Sequence, residues 1–103
     1  MRQAVLWSAD AADDVEAVAA YIAQDNPAAA RKVVDAIEEA AERLSEMATG
    51  HPGRVGGTYE KVVPRLPYII AYALHTLPEG GEAVVILRVI HGARNWPAEE
   101  WPE

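Results

Sequence analysis

The run over residues 83–90, AVVILRVI, constrains this chain more than any other stretch. Its apolar residues do not alternate with polar ones, so a strand built from it is buried on both faces. The same stretch and the residues just after it carry Arg88, His91, Arg94 and Trp96, so a buried strand delivers cationic and aromatic groups to a surface. What that surface meets is the functional question.

The elements around the strand can be read in order. Residues 2–7 read as a short first strand, with Val5 and Trp7 on one face and Ala4 and Leu6 on the other. Ser8 or Asp10 then offers an N-cap, and Asp10, Asp13, Asp14 and Glu16 fall in the first turns, where the helix dipole favours negative charge. Val15, Val18, Ala19 and Ile22 follow at helical spacing, which predicts a helix over 9–24. Asn26-Pro27 supplies a cap and a first-turn proline for a second helix. Its apolar stripe is Ala30, Val33, Val34, Ile37, Ala41, Leu44 and Met47, with an end expected near Thr49-Gly50. So short a gap makes an antiparallel helical hairpin, and its alanines allow close approach. Asp35, Glu38, Glu39, Glu42 and Glu46 lie mostly off the stripe and read as a solvated face.

The segment TGHPGRVGG is a glycine-rich loop in which His51 and Arg54 are the reactive side chains. Strands are predicted over 59–63, 68–74 and 82–90, joined by turns at 64–67 and 78–81, which gives an antiparallel meander. The order strand, helix, helix, strand, strand, strand implies an α+β domain with the helical hairpin on one face of the sheet. Alternation puts Ile69, Ala71 and Ala73 on one side of the middle strand and Tyr68, Ile70, Tyr72 and Leu74 on the other. Both sides are apolar, which points to a partner-binding face or to a curved sheet wrapped around its helices.

Length and composition narrow the function. A chain of 103 residues fits one domain, and with no cysteine the fold has neither a disulfide nor a thiolate metal site. His51, His75 and His91 lack the spacing of a metal site, so no metal is expected. The net charge of −7 disfavours non-specific nucleic-acid binding, which depends on Lys and Arg releasing counterions. That charge is uneven: residues 1–50 hold four Lys/Arg against ten Asp/Glu, whereas residues 51–98 hold five against three. The second half is therefore the candidate docking surface. No run approaches the roughly 20 apolar residues of a membrane span, and the N-terminal stretch lacks a signal-peptide core, so a cytoplasmic protein without membrane contact is expected.

Four pieces of sequence carry a family likeness: NPAAA opening the second helix, GR in the glycine-rich loop, TYEKVVPRLPYIIAY over the two middle strands, and VILRVIHGARNWP at the end. Together they resemble the RelE/ParE superfamily of toxins from bacterial toxin–antitoxin systems over nearly the whole chain. PYII-Y followed by ILRV-H-xx-R-x-WP is the most specific part. The likeness is greater to the ParE branch, whose characterised members poison DNA gyrase, than to the RelE branch, whose members cut mRNA on the ribosome. It implies the RelE/ParE-like β-α-α-β-β-β fold in a single domain over 1–98, followed by a short acidic tail over 99–103. Two departures stand out. Related sequences commonly have Arg-Glu-Leu where this chain has Tyr59, Glu60 and Lys61, and they often have Gly where it has Arg65.

The resemblance implies two chemistries. A metal-independent mRNA endonuclease needs a base, an acid and cations around the phosphorane. Lys61, Arg65, Arg88, His91 and Arg94 would supply them, with His91 as the sole acid–base group because no tyrosine follows Tyr72. A gyrase-binding toxin is no enzyme and needs no cofactor. Its target-binding residues would be Arg54, Arg65, His91 and Arg94, and a cognate antitoxin would fold across Tyr68, Ile70 and Tyr72 in a toxin–antitoxin hetero-oligomer. The second reading is preferred; a member with weakened toxicity or another target is a third. Simpler roles stand beside these: His91 as a strand-end histidine bonded to neighbouring backbone, Trp96 packing the chain end, and Arg88 held in the fold by Glu60.

Overall fold

The computed structural model describes residues 4–46 and 56–92, together with the backbone of residues 51–52. The element order is β1 (Ala4–Trp7), α1 (Ala9–Ala23), α2 (Pro27–Arg43), β2 (His51–Pro52), β3 (Tyr59–Val62), β4 (Tyr68–Thr76) and β5 (Glu82–His91). The expected α+β architecture is present, with the two-residue β2 added inside the segment read as a loop.

Capping chemistry fixes both helix starts. Ser8 is the N-cap of α1, its Oγ accepting from Ala11 N–H at 3.0 Å. Asn26 caps α2 through Oδ1, which accepts from Ala29 N–H at 3.0 Å, and Pro27 follows where a missing N–H costs nothing. The α2 helix stops at Arg43, before the expected end at Thr49-Gly50, which lies with Met47 outside the described residues. The last turn tightens from Leu44, whose N–H donates to the Ala41 carbonyl three residues back at 3.1 Å, and Ser45 adds to it. Ser45 Oγ donates to the Glu42 carbonyl at 2.6 Å, while Ser45 and Glu46 N–H donate to carbonyls three residues back, drawing the chain out of α geometry.

The sheet order is β1-β5-β4-β3-β2. Strands β3, β4 and β5 form the expected antiparallel meander, whereas β1 lies parallel to β5, so the sheet is mixed. The intervening helices provide the crossover a parallel pair requires. Pro52 sits on the edge strand, where its missing donor breaks no ladder. The register between β4 and β5 shifts at Ala71/Tyr72, pairing Ala71 with Arg88 and Tyr72 with Ile86 and leaving Leu87 unopposed. This bulge inverts the alternation, so Val84, Ile86 and Val89 all join the core beneath the helices.

That core joins Ile37, Ala40, Ala41 and Leu44 of the α2 region and Ala11 of α1 to Val63, Ile70 and Tyr72 of the meander. The opposite sheet face carries a smaller cluster of Ala71, Ile90 and Ile69. Toward its two edges that face exposes Leu6 (50%) and Val62 (51%), which makes its apolar surface uneven rather than continuous.

Candidate functional site

The residues singled out for chemistry divide by position on the sheet. Arg88 is embedded in β5, and its carboxylate is Asp14 of α1, where Glu60 was the expected partner. Nε donates to Asp14 Oδ2 at 2.7 Å and a terminal N–H donates to Oδ1 at 3.0 Å, with both side chains only 17% exposed. Asp14 Oδ2 also accepts from Val89 N–H at 2.9 Å. The physical reason lies in the length of β1. That strand pairs with β5 only as far as Trp7 and Ile86, and among the described residues no strand neighbours the rest of that β5 edge. Ser8 and Asp14 take over: Ser8 N–H donates to the Ile86 carbonyl at 2.9 Å, Ser8 Oγ donates to the Leu87 carbonyl at 2.9 Å, and Asp14 receives Val89. Glu60 is itself buried, in a cross-strand row with Ala71 and Arg88.

His91 ends β5 at the exposed margin, edge-on to Tyr68 with ring centroids 5.5 Å apart and planes at 82°. At the same end the β3–β4 turn is tied to β5 by Gly92 N–H, which donates to the Pro67 carbonyl at 2.6 Å. Arg65, exposed in that turn, thus belongs to the end of the sheet that carries His91 and Tyr68. Lys61 sits half-buried opposite Ile70, on the helix side of β3. Arg54, Arg94 and Trp96 lie outside the described residues.

The expected antitoxin surface needs correction. Tyr68, Ile70 and Tyr72 share a face as the alternation predicts, but it is the face under the helices. Ile70 is 0% and Tyr72 1% exposed, and Tyr72 stacks on Tyr59 at 5.5 Å between centroids. Both are core residues and offer no area to a partner in this fold; of the three, only Tyr68 reaches the surface margin.

Asp14 is the residue that sequence reasoning missed. Its place in the first turns of α1 groups it with the acids that the helix dipole favours. The available signal was its phase: Ala11, Asp14 and Val18 recur at three and four residues, which puts an acid on the inward stripe of α1.

Comparison with known proteins gives this geometry a family. The family model of the ParE toxin of the type II toxin–antitoxin system parDE matches residues 5–96. The chain belongs to the ParE toxin family. Among relatives, Y4kP of Sinorhizobium fredii (strain NBRC 101917 / NGR234), named as a candidate toxin, is 37% identical over 97 residues, covering 93% of this chain and 95% of that protein. Among solved structures, a chain of the chromosomal ParDE toxin–antitoxin system from P. aeruginosa superposes with a TM-score of 0.74 at 26% identity, over 87% of this chain and 96% of that one. As a ParE-family toxin, the chain devotes Arg88 and Asp14 to joining α1 to the strand edge, and exposes Arg65 and His91 at one end of the meander.

Proposed function

We propose that this ParE-family toxin acts by binding DNA gyrase, in the cytoplasm, and is neutralised by a cognate antitoxin in a hetero-oligomeric complex. The observation that carries this reading over mRNA cleavage is the engagement of Arg88. Arg88, one of the strand cations a phosphorane would need, is bound on two of its N–H groups by Asp14 in a partly buried pair. Freeing it for a phosphate would strand the Asp14 carboxylate and cost stability. What remains at the surface is suited to docking: Arg65 and His91, joined in this proposal by Arg54 and Arg94, with Tyr68 at the margin as the antitoxin contact.

Expression of the chain without antitoxin tests the reading. Gyrase–DNA covalent complexes with filamentation and a DNA-damage response are expected. Codon-linked cuts in translated mRNA would establish the endonuclease instead, and normal growth would favour a weakened member. Arg94→Ala is expected to reduce toxicity while leaving the melting temperature within a degree or two, because in this reading the residue serves the target and not the core.

A further inference from the structure

Arg65 is the one non-glycine residue with a positive φ among the described residues, at 66°. It occupies the second central position of a turn in which Pro64 comes first and Leu66 N–H donates to the Val63 carbonyl at 3.2 Å. That position belongs on steric grounds to glycine or asparagine, because a side chain crowds the following carbonyl there. Arginine gains nothing at home to offset the strain: it is exposed and forms no hydrogen bond or ion pair with a described residue.

The turn itself is firmly held. Val63 N–H donates to the Tyr68 carbonyl at 2.9 Å, closing the hairpin, and Gly92 N–H donates to Pro67 at 2.6 Å, binding the tip to the end of β5. A Cβ at Gly92 would stand 3.3 Å from the Pro67 oxygen, a contact tight enough that the turn would have to give by a few tenths of an ångström. The guanidinium is therefore carried on an ordered tip. Neither residues 61–78 nor residues 83–98 contain an Asp or Glu on a chain of net charge −7, and the acid beside the turn, Glu39 of α2, lines a pocket with Val63 and Pro64 and is paired with Arg43 at 2.6 Å.

We infer that Arg65 is kept at this strained position because it is a specificity-determining contact with the target, its planar guanidinium gripping a carboxylate on the target protein through two N–H groups. This rests on reading the chain as a gyrase-binding toxin. A protein carboxylate is favoured over nucleic-acid phosphate because a net-acidic chain is repelled by a polyanion, whereas a short-range bidentate pair tolerates that charge.

The test compares wild type with Arg65→Gly, Arg65→Asn and Arg65→Lys, measuring melting temperature, growth arrest on expression, and affinity for purified gyrase with and without DNA. Arg65→Gly should melt higher by roughly 4 °C through relief of strain. It should also bind gyrase at least about 10-fold more weakly, whether or not DNA is present, a loss equivalent to ~1.4 kcal/mol. Arg65→Asn should follow the same pattern. Arg65→Lys should keep the wild-type melting temperature and bind with intermediate affinity, because an ammonium cannot form the fork. Unchanged gyrase affinity in Arg65→Gly, or a melting temperature at or below wild type, overturns the inference alone. A loss confined to DNA-containing samples assigns the contact to phosphate and overturns the carboxylate. A wild-type chain that neither arrests growth nor binds gyrase removes the proposed function and this inference with it.

Discussion

Asp14 satisfies three donors with two oxygens: two N–H groups of Arg88 and the backbone N–H of Val89. Replacing it exposes the cost of each. Asp14→Ala leaves a partly buried guanidinium and an unpaired strand N–H, and should destabilise the fold by about 3 kcal/mol. Asp14→Asn retains an acceptor for Val89 but not the charge, and should lose about half as much. Arg88→Ala should also destabilise, and the double variant Asp14→Ala/Arg88→Ala should lose less than the sum of the singles, with a coupling of about 1–2 kcal/mol. Urea midpoints at constant slope measure all four; additive losses would show that the pair is not a unit. The sequence announced that Arg88 needed a carboxylate, because a cation lay inside an apolar strand. It could not say which, because choosing among Glu60 and the helix acids depends on where α1 crosses the strand edge.

At the scale of the element, Ser8 shows one side chain serving two structures. It caps α1 by accepting from Ala11 and holds β5 by donating to Leu87, across 79 residues of chain. Asn26 performs only the first task, in an exposed setting. Ser8→Ala should therefore cost about 2 kcal/mol, a lost cap plus an unmade strand-edge bond, whereas Asn26→Ala should cost about 1 kcal/mol. Equal losses in denaturant unfolding would mean the Leu87 bond contributes nothing. The Asn26 cap was readable beforehand and Ser8 was one of two candidates with Asp10, since caps are local and obey known residue preferences. The early end of α2 and the unopposed Leu87 were not: the first depends on a last turn tightened from Leu44 onward, the second on the register between two strands.

Over the whole molecule, stability is concentrated in the layer between helices and sheet. Ile37 is fully buried there against strand residues of the meander, so Ile37→Ala should cost about 3–4 kcal/mol through lost burial and a residual cavity. Tyr68, at the margin of that layer, offers a contrast with Ile70 beneath it. Ile70→Ala should lower the melting temperature sharply, while Tyr68→Ala should lower it less and weaken antitoxin binding instead. A Tyr68→Ala variant that binds antitoxin as wild type does would remove that contact.

The sequence by itself determined the order of elements, both helix starts, the β3–β4–β5 meander and the two faces of β4. Each is a property of neighbouring residues: a cap, a proline, a glycine turn, a period of two or 3.6. Tertiary structure alone decided that β1 runs parallel to β5, that Ile70 and Tyr72 face the core, and that Asp14 meets Arg88 from 74 residues away. Alternation tells which residues share a face but not which face the helices will cover. That choice, like the choice of Asp14, comes from long-range packing, and it decides which side chains remain at the surface for a partner.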